Sequence, residues 1–78
     1  MPSAFVLINT ELGSEDEVFE ELTKIPGVEE AYIVYGAYDI IVLVKAESLN
    51  ELRSIVINKI RRIPKVRSTT TMVIVERK

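Results

Sequence analysis

Asp39 closes the run Tyr35-Gly36-Ala37-Tyr38-Asp39, and it is the one acidic residue flanked closely by aromatics and aliphatics. A carboxylate in that setting suits two tasks. It can stabilise a turn by accepting nearby backbone N–H groups, or it can hold the cationic end of a small polar ligand. A second candidate set is Ser68-Thr69-Thr70-Thr71. Four adjacent hydroxyls both donate and accept, which fits a carboxylate or amide ligand. They also fit an ordinary polar start to an edge strand, since threonine favours strands. In extended backbone Thr69 and Thr71 point one way, Ser68 and Thr70 the other. Both readings of each set stay open on the residues alone.

Catalysis finds less to work with. The 78 residues include no histidine and no cysteine. That removes the commonest general base, the commonest thiol nucleophile and most transition-metal sites. The three glycines, Gly13, Gly27 and Gly36, are scattered and build no phosphate loop. No metal and no cofactor is expected. Ten basic against twelve acidic residues give a net charge of −2, whereas nucleic-acid binders usually show a basic excess or stripe. Acid gathers early, from Glu11 to Glu21, and base late, from Lys59 to Arg67. Two solvated helix surfaces with favourable dipole placement explain this pattern; a basic nucleic-acid patch or head-to-tail pairing of subunits are the alternatives. RNA-binding sheets carry face aromatics with basic neighbours, and Phe5, Tyr32, Tyr35 and Tyr38 lack such neighbours.

The elements that position Asp39 and the hydroxyls follow from periodicity. Ala4–Asn9 reads as a strand. Ser14 with Glu17 three residues on forms a capping box, and Val18, Leu22 and Ile25 follow at helical spacing up to Pro26-Gly27. Val28–Tyr35 and Tyr38–Lys45 read as strands joined at Gly36-Ala37, a two-residue type II′ hairpin with glycine first. Ser48 with Glu51 is a second capping box, and Leu49, Leu52, Val56, Ile60 and Ile63 continue the helix to Pro64. Val66–Glu76 is the last strand. The order βαββαβ contains a repeat: Ile25-Pro26-Gly27-Val28 is echoed by Ile63-Pro64-Lys65-Val66. The capping serine lies about one helical turn further from its proline in the second half, so the second helix is the longer one.

Two such halves predict an α+β, ferredoxin-like fold. Right-handed crossovers place both helices on one face of a four-stranded antiparallel sheet, in the order 4-1-3-2. In this layout the start of the fourth strand is expected at the opposite end of the sheet from the Gly36 turn. Residues from both elements would then meet one ligand only across two chains. The central strands hold alternating sets, Ala4, Val6, Ile8, Ile40, Val42 and Val44 against Phe5, Leu7, Ile41 and Leu43. Both sets are apolar, and parity alone does not say which meets the helices. The face without helices exceeds the few hundred Å2 of apolar patch usual on a soluble monomer. A homodimer stacked sheet on sheet is expected.

Composition sets the class. With 47% hydrophobic residues the chain is not disordered, and one domain over residues 1–78 is expected. Its longest apolar runs are far short of the roughly 18 residues that span a bilayer. The Met-Pro-Ser start lacks the features of a signal peptide, so a cytoplasmic location is expected. Richness in Lys, Glu, Ile and Val, with no Gln or Cys, leans towards a thermophile.

The segment Val34 to Val44, a longer helix, and then Ile63-Pro64-Lys65-Val66-Arg67-Ser68-Thr69-Thr70-Thr71 together resemble the effector-binding (RAM) module of the Lrp/AsnC transcription regulators. The resemblance covers nearly the whole chain. It implies a ferredoxin-like module that pairs through its sheet, with dimers assembling into an octamer and a free amino acid bound between dimers. Carried over, it points to Tyr35, Gly36, Ala37, Tyr38 and Asp39 as the ligand-binding turn, with Thr69, Thr70 and Thr71 from a neighbour's last strand. Asp39 would receive the ammonium group. Full-length members begin with a helix-turn-helix domain, for which this sequence leaves no room, so a stand-alone module without DNA binding of its own is expected. The leading expectation is an amino-acid-sensing, oligomerising regulatory module, not an enzyme. The alternatives are an assembly partner that modulates full-length Lrp/AsnC regulators without its own ligand, and a small dimeric α+β barrel enzyme. An ACT-type amino-acid module is compatible by topology, but the Thr10-Glu11-Leu12-Gly13 loop does not look like its ligand site.

Overall fold

The computed structural model describes all residues, 1–78. The chain runs β1 (Ser3–Thr10), α1 (Glu15–Thr23), β2 (Val28–Ile33), β3 (Ile40–Lys45), α2 (Leu49–Ser54) and β4 (Val66–Val73). The helix α2 continues without a break into a π-helical stretch, Ile55–Ile60. There the Arg61 N–H reaches back five residues to the Val56 carbonyl at 2.9 Å. The second helical segment thus spans six residues plus six, against nine in α1, as the spacing predicts.

The four strands form one antiparallel sheet in the order β2-β3-β1-β4, with β1 and β3 central. Ala4, Val6, Ile8, Ile40, Val42 and Val44 are fully buried. They form one core with Val18 and Leu22 of α1 and with Leu52, Ile55, Val56 and Ile60 of the second helical segment. This settles the parity question, because both helices cover that set. The opposite face carries Phe5 and Leu7 of β1, paired with Leu43 and Ile41 of β3. Tyr32 lies beside Ile41, and Met72 beside Phe5. Phe5, Tyr32 and Met72 are 39%, 52% and 50% exposed, so the face left bare by the helices is largely apolar.

Three local expectations change. Strand β2 ends at Ile33 and β3 starts at Ile40, so the hairpin is longer than two residues. The Val34 N–H bonds the Asp39 carbonyl at 2.9 Å and closes a loop over Tyr35–Tyr38, with Gly36 at φ +138. The Ser14 side chain makes no capping hydrogen bond, whereas the Ser48 hydroxyl accepts the Glu51 N–H at 3.1 Å. Finally, β3 and β4 both run antiparallel to β1, and both begin beside its end: Ile8 pairs with Ile40, and Thr10 with Val66. The Gly36 turn and the start of β4 therefore share one end of the sheet, and residues of one chain can meet there.

Gly27, after α1, has φ +101, and an added Cβ would lie 2.8 Å from Ile55 Cδ1 and 3.0 Å from the Lys45 carbonyl oxygen. Its amide neighbourhood is tied to the sheet, since its carbonyl accepts the Lys45 N–H at 2.8 Å. This glycine lets the chain turn close against β3 and the second helical segment, where a side chain would collide.

Candidate functional site

The backbone of Asp39 is held by the two segments that flank it. Its N–H donates to the Ile8 carbonyl at 3.0 Å, and its carbonyl accepts from Val34. Its side chain then crosses to the end of β1. There Oδ2 accepts the Thr10 N–H at 2.8 Å and lies 3.4 Å from the Thr10 hydroxyl. Thr10 is only 5% exposed. A carboxylate that satisfies a buried N–H is a structural group, and Asp39 is one. Its Oδ1 takes no hydrogen bond from the protein, so the turn-stabilising and ligand-anchoring readings are compatible.

Asp39 also lines a polar pocket of about 260 Å3 with Asn9, Thr10, Arg67 and Ser68. The Asn9 amide donates to the Ser68 hydroxyl at 3.4 Å across the β1–β4 pair. The ladder shifts register here: Asn9 faces Ser68 but Thr10 faces Val66. Nearby, the Tyr38 hydroxyl lies 3.4 Å from the Thr70 hydroxyl. The turn and β4 thus meet within one chain through Tyr38 and Thr70.

The remaining expected site residues separate. Tyr35, Gly36 and Ala37 form the exposed tip of the loop, with Tyr35 wholly in solvent. Thr69 and Thr71 point to the helix side of β4. They line a different feature, a mainly apolar groove of about 370 Å3 with Leu52, Val56 and Ile57 between the second helical segment and β4. One chain therefore brings Tyr38, Asp39 and Thr70 to one end of the sheet, and leaves Thr69 and Thr71 on the opposite face from Thr70. Asn9, Thr10 and Arg67 were missed by sequence reasoning. The available signal was the switch from apolar to polar residues at Asn9-Thr10, at the end of an otherwise apolar strand. No helix is long and apolar enough to cross a membrane.

On the bare face, Glu30 and Tyr32 stand two residues apart on the same side of β2. The Tyr32 hydroxyl donates to the Glu30 carboxylate. That bond, and then the negative charge of Glu30, raise the Tyr32 pKa above its ordinary value.

Residues 3–78 match the family model described as the Lrp/AsnC ligand binding domain. The chain belongs to the Lrp/AsnC family. It is 46% identical over 74 residues to PF0250 of Pyrococcus furiosus, described as an uncharacterized HTH-type transcriptional regulator; the match covers 91% of this chain and 49% of that protein. The chain spans about half the length of the curated relatives it matches. Among solved structures it is similar to the hypothetical protein PHS023 from Pyrococcus horikoshii, at 43% identity and a TM-score of 0.90, covering 99% of this chain and 93% of the other. It is also similar to AsnC of E. coli, at 27% identity and a TM-score of 0.92, covering 97% of this chain and 52% of AsnC. The ferredoxin-like fold of Lrp/AsnC domains is therefore present here. The matched region is a ligand-binding domain of transcription regulators, not an enzyme.

Proposed function

We propose that this Lrp/AsnC domain is an amino-acid-sensing, oligomerising module. A free amino acid binds at the sheet end that holds Asp39, with the Tyr35–Tyr38 loop and the β4 hydroxyls beside it, and subunits pair through the bare sheet face. The observation that carries the reading is the polar pocket beside Asp39, in a chain that matches a ligand-binding domain over residues 3–78. Asp39 keeps one oxygen on Thr10 and has the other free of protein partners, which suits an ammonium donor. The apolar face of Phe5, Leu7, Ile41, Leu43 and Met72 supports pairing, because covering it removes apolar area from water. Dimers of this module assemble further into an octamer.

Thermal melts with each of the twenty amino acids test the reading. A ligand at a hundredfold excess over its dissociation constant stabilises the fold by about 2.7 kcal/mol. At least one amino acid should raise the melting temperature. Twenty flat melts would remove amino-acid sensing.

The same bare face favours a second reading, an assembly partner that joins full-length Lrp/AsnC regulators without a ligand of its own. Capture of a helix-turn-helix relative by this chain, with no amino acid altering either melt or capture, would select it.

A further inference from the structure

Arg67 has no partner in the sheet. The β1–β4 ladder passes from the Asn9–Ser68 pair directly to the Thr10–Val66 pair, so Arg67 is the extra residue of a β-bulge. Bulges re-aim a side chain, and they are over-represented beside binding and active sites. Here Arg67 lines the same polar pocket as Asp39. The two opposite charges do not neutralise each other: Arg67 takes part in no ion pair with any carboxylate. Two charges of opposite sign that share one pocket without closing on each other leave room for a molecule that carries both.

We propose that Arg67 is the carboxylate-binding arm of a zwitterion pocket whose ammonium-binding arm is Asp39. The ligand class is a free α-amino acid, held by its main chain. Arg67 offers a planar fork that matches a carboxylate bidentately, and Asp39 offers Oδ1. Asn9 and Ser68, bonded to each other across the pocket wall, add an amide and a hydroxyl. No apolar residue lines this pocket, so it reads the backbone of the ligand, and selection among side chains falls to groups beyond these five residues. This inference rests on the amino-acid reading above, and adds a recognition residue to it.

The test is calorimetric titration of the full chain, as wild type, Arg67→Gln, Arg67→Lys and Asp39→Asn. The probes are the twenty L-amino acids, then the α-amide of whichever binds tightest. The wild type should prefer the acid over its amide by about tenfold or more, the scale of one charge-assisted contact. Arg67→Gln should lose about tenfold for the acid, stay within about twofold for the amide, and so erase the preference. Arg67→Lys should fall between, keeping the charge but not the fork. Wild-type affinity in Arg67→Gln, or equal losses for acid and amide, would overturn the role of Arg67. If Asp39→Asn still loses affinity in that case, the amino-acid reading stands without Arg67. Absence of binding by every amino acid to the wild type would overturn both.

Discussion

Phe5→Ala is the sharpest perturbation of the bare sheet face. Phe5 is 39% exposed in the single chain, and an aromatic side chain buries about 150 to 250 Å2 when fully covered. Sheet-on-sheet pairing that covers the remainder removes about 60 to 100 Å2 per subunit from water. At about 25 cal/mol per Å2 this contributes about 1.5 to 2.5 kcal/mol per subunit. A twofold dimer contains the residue twice, which gives about 3 to 5 kcal/mol per dimer. With about 1.4 kcal/mol per decade, the dimer dissociation constant should rise by about two to three and a half decades. Sedimentation equilibrium over a concentration series reads this directly, with circular dichroism to show that the subunit remains folded. A folded variant with an unchanged dissociation constant would refute pairing through this face, and so would a wild type that sediments as a monomer.

Other positions give separate tests. Asp39→Ala leaves the buried Thr10 N–H without its acceptor and should cost about 1 to 3 kcal/mol in chemical denaturation; Asp39→Asn keeps an acceptor and should cost clearly less, and equal costs would refute the structural role of the carboxylate. Ser48→Ala removes a capping bond and should cost about 1 kcal/mol, or about 4 to 8 °C in a domain of this size. Ser14→Ala removes no side-chain cap and should lower the melt less; the reverse order would contradict the capping geometry. The raised pKa of Tyr32 means that the fold favours the protonated phenol. Its contribution to stability is complete below the ordinary tyrosine pKa of about 10 and is lost as pH rises through the higher folded value. Glu30→Gln should bring the Tyr32 phenolate absorbance transition down towards the ordinary value, and an unmoved transition would exclude Glu30 as the cause.

Most of the architecture is legible in the residues, because it depends on periodicity. The alternation in Ala4–Ile8 and Ile40–Val44, the spacing of Val18 and Leu22, and that of Leu52, Val56 and Ile60 each mark a core-facing set. What escapes is set by geometry that periodicity does not encode. Both alternating sets of the central strands are apolar, so only the helix packing reveals that Phe5 and Leu43 face away from the core. Gly36 signals a turn but not its length, which the Val34–Asp39 bond decides. Ser14-x-x-Glu17 has the residues of a capping box without its side-chain bond. At the candidate site Asp39, Tyr38 and Thr70 are legible as chemistry. Arg67 is not, since it read as one of several late basic residues. Only the one-residue register slip between Asn9 and Thr10 turns it into the pocket.

Amide chemical-shift mapping of the isotope-labelled chain, titrated with the amino acid that stabilises it most, probes sensing at the Asp39 end of the sheet most directly. The largest shifts should fall on Thr10, Tyr38, Asp39, Arg67 and Ser68, and saturate together at one dissociation constant. Shifts confined to the Leu52–Ile57 and Thr69–Thr71 groove, or a spectrum unchanged by every amino acid, would contradict it.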